Sequence, residues 1–114
     1  MLTKFDEQAQ KAIVVAESIA FDLGHNNVGS EHLLLSLLKI SDCKLRDLVK
    51  EYGVNEKNIY EDIKRLFGTN DDQPFYMEYS DAVKNILETA VEITNKQNKS
   101  KVALNILTIS LLKN

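Results

Sequence analysis

The stretch FDEQAQKAIVVAESIAFDLGHNNVGSEHLLLSLLK, residues 5–39, is answered 74 positions later by YSDAVKNILETAVEITNKQNKSKVALNILTISLLK, residues 79–113. In this ungapped register Ala16 meets Ala90, Ile19 meets Ile93, Val28 meets Val102 and Leu33 meets Leu107. The run Ser36-Leu37-Leu38-Lys39 falls on Ser110-Leu111-Leu112-Lys113. Phe5 with Tyr79, Ala9 with Val83, and Ile13 with Leu87 are conservative pairs in the same frame. Amphipathic helices always agree to some extent, but one register held over this length identifies an internal repeat.

Each copy reads as a pair of helices. Asp6 can cap a first helix in which Ala9, Ala12, Ile13, Ala16, Ile19, Ala20 and Leu23 share one face. Gly24 stops it, and His25, Asn26 and Asn27 make a polar connection. Ser30 is the expected cap of a second helix to about Lys39, with Glu31 at the positive end of its dipole and Leu33, Leu34, Leu37 and Leu38 inward. Ser41 or Asp42 opens a third, with Leu45, Leu48 and Val49 inward and Gly53 as its stop. Asn55 caps a fourth, with Ile59, Ile63 and Leu66 on one face before Gly68. The polar stretch Thr69 to Pro74 holds the only proline and reads as a linker. Ser80 then caps a helix carrying Val83, Ile86, Leu87, Ala90, Val91 and Thr94 at helical spacing. The expected fold is all-α: one domain over 1–114, with repeat one at 5–68, a linker at 69–78 and a partial repeat two at 79–114.

Composition narrows the function. The length suits one small domain, and 44% hydrophobic residues can build a core without disulfides or metals. Four glycines, one proline and no tryptophan favour helices over a turn-rich β architecture. The net charge of −3 comes from 14 basic and 17 acidic residues interspersed along the chain, so no cationic field gathers nucleic acid. A single cysteine, Cys43, forms no internal disulfide, and no stretch has the length of a signal core or membrane span. A cytosolic protein with neither nucleic-acid nor membrane partners is expected.

The run Gly24-His25-Asn26-Asn27-Val28-Gly29-Ser30-Glu31-His32-Leu33-Leu34-Leu35-Ser36-Leu37-Leu38, preceded by Phe5-Asp6-Glu7-Gln8-Ala9-Gln10-Lys11, resembles the N-terminal domain of the Clp AAA+ unfoldases, with the closest likeness to the ClpC branch. The resemblance covers essentially the whole chain. It implies two tandem four-helix repeats about a pseudo-twofold axis, placed on an ATPase ring to receive adaptors and substrates. It also implies a site for phosphorylated arginine in which the glutamate of the Glu31-His32 pair faces the guanidinium. A complete second repeat would continue past residue 114. At the tip of the second copy Gly29-Ser30-Glu31-His32 is replaced by Ala103-Leu104-Asn105-Ile106.

Val28, Gly29, Ser30 and Glu31 are therefore the candidate binding residues, for which two readings stand. Free N–H groups at a helix start can receive a phosphate while a carboxylate pairs with a guanidinium; alternatively, Ser30 and Glu31 only cap the helix. Leu104 has no capping oxygen and Asn105 no charge, so Ala103, Leu104 and Asn105 form a degenerate second site. His25 and His32 lack a further ligand or nucleophile at useful spacing and read as structural. Cys43 reads as a buried or half-buried thiol, and Asp71-Asp72 as solvated linker. Phe75, Tyr76 and Tyr79 read as inter-repeat packing, with peptide docking as the alternative. No Gly-x-x-x-x-Gly-Lys run is present, so ATP hydrolysis by this chain is excluded. The expectation is a non-enzymatic recruitment domain without cofactor or metal, whose partners are adaptor or substrate proteins and an AAA+ ring. A self-associating interaction protein is the alternative: a homodimer would cover Leu104, Leu107, Leu111 and Leu112. A hydrolase built on Glu31 and His32 is remote.

Overall fold

The computed structural model describes residues 2–40 and 44–113. A 3-10 turn, Leu2–Lys4, leads into α1 (Glu7–Asp22), β1 (Asn27–Val28), α2 (Ser30–Lys39), α3 (Lys44–Lys50), α4 (Glu56–Phe67), β2 (Glu78–Tyr79), α5 (Asp81–Lys96) and α6 (Leu104–Lys113). Ser41 and Asp42, the expected caps of the third helix, lie outside the described residues, as does Cys43.

The repeat is visible atom by atom. Asp6 Oδ1 accepts from the Ala9 amide and Ser80 Oγ from the Val83 amide, which are the same cap 74 positions apart. Ser36 Oγ donates to the Ala12 carbonyl, and Ser110 Oγ donates to that of Ile86. These two fully buried serines sit where the second helix of each copy crosses the first, so the crossing is made by a small side chain that satisfies its own hydroxyl. The turn after the first helix also recurs. Gly24 has φ +77°, and its counterpart Asn98 is the only non-glycine with positive φ among the described residues, at +56°. Asparagine is one of the few side chains that tolerate that region.

Short parallel strands cross-link the copies, a feature absent from the sequence-based expectation. Val28 pairs with Tyr79 in the β1–β2 sheet, and Phe5 forms a parallel bridge with Val102. The Ser80 amide donates to the Val28 carbonyl at 3.0 Å, and the Asp6 amide to the Val102 carbonyl at 2.9 Å. Each copy's segment before its first helix thus binds the other copy's connection between helices. That exchange gives the pair its twofold relation.

The main core is built from α1, α2, α5 and α6 and includes Phe5, Ala12, Ile13, Leu33, Leu37, Ile86, Leu87 and Leu107. A satellite cluster of Ile19, Leu23, Leu35 and Ile63 seats α4 on α1 and α2. Arg46 joins the helices further out, donating from Nε to the Leu38 carbonyl at 2.6 Å and pairing with Glu56 at 2.7 Å.

Several inward positions need correcting. Leu34 is only half-buried, whereas His32, Leu35 and Ser36 are fully buried, because α2 is covered on nearly every side. Leu66 is exposed, since the satellite cluster is closed by Ile63 one turn earlier. Phe75 and Tyr76 lie on the surface instead of between the repeats. The strand pairing has taken the inter-repeat role, together with Tyr79, whose hydroxyl donates to Glu17. Burial, then the Glu17 bond and charge, push the Tyr79 phenol above its ordinary range. In α6 Leu107 is fully buried and Leu104 and Leu111 partly so, leaving Leu112 and Ile109 as the exposed apolar residues.

Equivalence of the two serine crossings predicts equal penalties. Ser36→Ala and Ser110→Ala should each cost about 1 kcal/mol in chemical denaturation, the net worth of one buried hydrogen bond. Ser36→Leu and Ser110→Leu should each cost more, by forcing the helices apart.

Candidate functional site

The tip of the first copy is organised by two glycines and two histidines. At Gly24 the linker comes so close that a β-carbon would lie 2.2 Å from the Asn70 carbonyl oxygen, and the Asn70 amide donates to Leu23 at 2.9 Å. Only glycine meets both the positive φ and the lack of space. The linker is thereby clamped beside the helix start and becomes the far wall of a groove.

The cap of α2 differs from expectation. Its N-cap is Gly29, in extended conformation, and Ser30 is already the first helical residue. The physical reason is β1: pairing holds Val28 extended and buried, which moves the start of the helix to the residue after Gly29. Capping comes instead from His32, whose Nδ1 accepts the Gly29 N–H at 2.9 Å, the reach-back that a Glu or Gln makes in a capping box.

This bond determines both tautomers. His32 Nδ1 faces a donor, so the ring proton is on Nε2, which donates to His25 Nδ1 at 2.9 Å. His25 then carries its proton on Nε2 and donates it to the Gly68 carbonyl at 2.8 Å. The relay runs from the start of α2 to the end of α4 through two neutral imidazoles. His25 and His32, read from the sequence as structural, are the tie between those elements.

Glu31 stands at the front of this assembly. Its side chain is 28% exposed, its Oε1 lies 3.6 Å from His32 Nδ1, and both carboxylate oxygens lie 2.4 Å from where a β-carbon on residue 29 would be. The carboxylate is folded against Gly29, at the positive end of the helix. Two open grooves meet at Glu31 and Phe67. One, of about 590 Å³, runs between the tip and the linker, with His25, Asn27, Asn70, Asp72 and Phe75 in its walls. The other, of about 510 Å³, is apolar, lined by Leu34, Ala82, Ile86, Leu111 and Leu112 with Ser30 at its edge.

The four candidate residues are adjacent in space but unequal in access. Val28 and Gly29 are buried and serve geometry, while Ser30 and Glu31 border the grooves. Phe67, Asp72 and Phe75 were not singled out by sequence reasoning as partners of Glu31. The bond of His25 to Gly68 brings Phe67 there and the clamp of Asn70 on Gly24 brings the linker residues, and no local motif announces either. In the second copy Ala103 occupies the Gly29 position, its carbonyl accepting from Ile106 and Leu107 as that of Gly29 does from His32 and Leu33. Ile106 offers no reach-back cap, Leu104 is half-buried and Asn105 is exposed.

Two cross-paired helical repeats with open grooves at one helix start define a helical repeat domain with a candidate binding surface at one tip. Residues 4–114 match the Clp repeat (R) N-terminal domain, and the chain belongs to that family. It is 26% identical over 113 residues to the negative regulator of genetic competence ClpC/MecB of Bacillus subtilis (strain 168), covering 99% of this chain and 14% of that protein. Among solved structures, the N-terminal domain of the chaperone ClpD from Arabidopsis thaliana superposes with a TM-score of 0.75 at 22% identity, covering 97% of this chain and 77% of that one. The ClpV N-domain in complex with a VipB peptide superposes with a TM-score of 0.74 at 19% identity, covering 99% and 70%. No helix among the described residues is long and apolar enough to cross a membrane.

The relay makes stability depend on pH. Burial holds the His32 imidazole below the usual histidine range; Glu31 opposes this and His25 adds to it. Glu31 is the carboxylate beside the relay, and Asp72 lines the same groove. With the folded value below the unfolded value of about 6.5, the unfolded chain takes up the proton first. The contribution is therefore complete above about pH 6.5 and is lost as pH falls through the folded value. The melting temperature should drop as the pH falls below about 6.5. His32→Gln, which keeps the reach-back cap without titrating, should flatten that dependence in a thermal melt series.

Proposed function

We propose that the chain is a non-enzymatic recruitment domain that receives adaptor or substrate proteins at the face around Ser30 and Glu31 and passes them to a Clp AAA+ unfoldase ring and its protease. Its repeats, 5–68 and 79–114 about a linker at 69–78, act as one binding unit. The observation that carries this reading is the position of Glu31, a partly exposed carboxylate held on a rigid helix start where two open grooves meet. A site on a pre-ordered element loses little entropy on binding. Family membership supports it, as does the ClpV relative, whose N-domain has been seen with a peptide bound. The chain spans about one-seventh of the length of its ClpC relative, so unfolding and proteolysis belong to the proposed assembly and not to this domain.

The finer form of the proposal is recognition of segments marked at arginine. Glu31 supplies a counter-charge for a guanidinium, and the Ser30 and Glu31 amides are the available donors for a phosphoryl group. Val28 and Gly29 hold that helix start in place. Ala103, Leu104 and Asn105 provide neither charge nor cap, so one site per chain is proposed.

Glu31→Ala should leave the helical circular dichroism unchanged and lower affinity at least about tenfold, by calorimetry, for both a phosphoarginine peptide and an unfolded polypeptide. Unchanged affinity for both ligands would remove Glu31 from the site.

A further inference from the structure

The histidine relay has no spare acceptor. His32 Nδ1 accepts from the Gly29 amide at 2.9 Å, His25 Nδ1 accepts from His32 Nε2 at 2.9 Å, and His25 Nε2 donates to the Gly68 carbonyl at 2.8 Å. Any further proton must therefore displace a bond already made. Added to His32 Nδ1, it takes away the acceptor of the Gly29 amide. Added to His25 Nδ1, it makes that nitrogen a donor facing His32 Nε2, which can accept only once the His32 ring proton has moved to Nδ1. Both routes end with His32 Nδ1 protonated and the Gly29 amide opposed by another donor.

Glu31 is the partner within reach of that new donor. Its Oε1 lies 3.6 Å from His32 Nδ1, and both carboxylate oxygens are already folded over Gly29, so a movement of less than about 1 Å makes a charge-assisted hydrogen bond. His32 is fully buried and the Glu31 side chain 28% exposed, so the carboxylate is the member free to move. Around the pair, His25 supplies the second ring, α4 presents the Gly68 carbonyl, and Asp72 of the linker lines the same groove. Glu17 on α1 is engaged by the Tyr79 hydroxyl, and no Lys or Arg is among the described residues lining the groove. His25, Gly29, Glu31, His32 and Gly68 all lie within repeat one.

We propose, resting on the recruitment reading above, that His32 is a positioning residue for Glu31: while neutral it caps α2 and leaves the carboxylate to a guanidinium, and once protonated it takes the carboxylate for itself, so that the face releases its ligand in acid. The ligand's guanidinium and the imidazolium compete for one negative charge. The coupling is reciprocal: a bound guanidinium makes His32 harder to protonate, and protonation lowers affinity. Burial holds the folded His32 below the unfolded value of about 6.5, so binding is complete above that pH and weakens as pH falls through the folded value.

Two measurements on the full chain test this. Without any ligand, the His32 ring is titrated by NMR. In Glu31→Gln, which removes the carboxylate charge, it should take up its proton at lower pH than in the parent chain; a titration unmoved by that substitution would overturn the pairing, whatever the chain binds. Affinity for a phosphoarginine peptide is then read by fluorescence anisotropy at about pH 7.5 and about pH 5.5, with circular dichroism checking the fold at both. Over that interval the parent chain should lose at least about threefold more affinity than His32→Gln, which caps without titrating. Comparing the two chains on one peptide cancels the titration of the phosphoryl group. Equal losses in both would overturn the competition and leave recruitment standing. Binding at neither pH would overturn the recruitment reading and ligand release with it, while the NMR titration decides the pairing of His32 with Glu31 by itself.

Discussion

Two backbone hydrogen bonds, from the Ser80 amide to the Val28 carbonyl and from the Asp6 amide to the Val102 carbonyl, set the arrangement on which the rest of the molecule depends. Each joins the cap residue of one copy's first helix to the connection between the helices of the other. Residues Asp6 and Ser80 therefore do two jobs: the side chain starts a helix, and the main chain ties that start to the opposite repeat. A helix pair alone would leave one apolar face open to water. With the copies exchanged in this way, Phe5, Val28, Val83 and Val102 close over the shared core from both ends.

The candidate site follows from that exchange. Pairing holds Val28 extended, the helix begins one step after Gly29, and the third residue of the helix becomes the cap. Because that residue is a histidine, with two ring nitrogens, it can cap on one side and continue a hydrogen-bonded chain on the other. His25 extends the chain to Gly68, so the end of α4 is tied to the start of α2. Phe67 is carried beside Glu31 by this tie, while the contact of Asn70 with Gly24 carries the linker across. A rigid carboxylate between two grooves is the outcome.

The same scaffold is dressed differently at its other tip. Asp22, His25 and Asn27 correspond in register to the exposed Lys96, Lys99 and Lys101, and Glu31 corresponds to Asn105. The apolar register is retained between the copies while the charge of the tips is inverted. Burial constrains the inward positions of both repeats alike, because both face one core. Solvent imposes no such demand on the tips, and they are where the copies have become chemically distinct.

Much of this was legible in the chain itself. Apolar spacing at three and four residues reveals the faces of α1 and α5, Asp6, Asn55 and Ser80 announce their helices, and the 74-residue register aligns Ser36 with Ser110, whose hydroxyls make equivalent bonds to Ala12 and Ile86 in the structure. These features are local, or repeat local features, so propensity and periodicity suffice to find them. Ser30 as a cap, Leu66 as buried, and Phe75 and Tyr76 as packing were misread for one reason: each depends on what lies beside it in space. A serine before a helical run is a good cap unless a distant strand pairs the segment ahead of it and the helix starts one residue early. Aromatic residues near a linker pack inward unless another contact already joins the repeats. Local spacing and capping residues are enough to specify two helical repeats and a polar helix start at Glu31. The pairing of β2 with β1, the joining of α2 to α4 by two histidines, and the placing of Phe67 and Asp72 in one groove with Glu31 belong to the folded molecule, because those arrangements span tens of residues and leave no periodic trace along the chain.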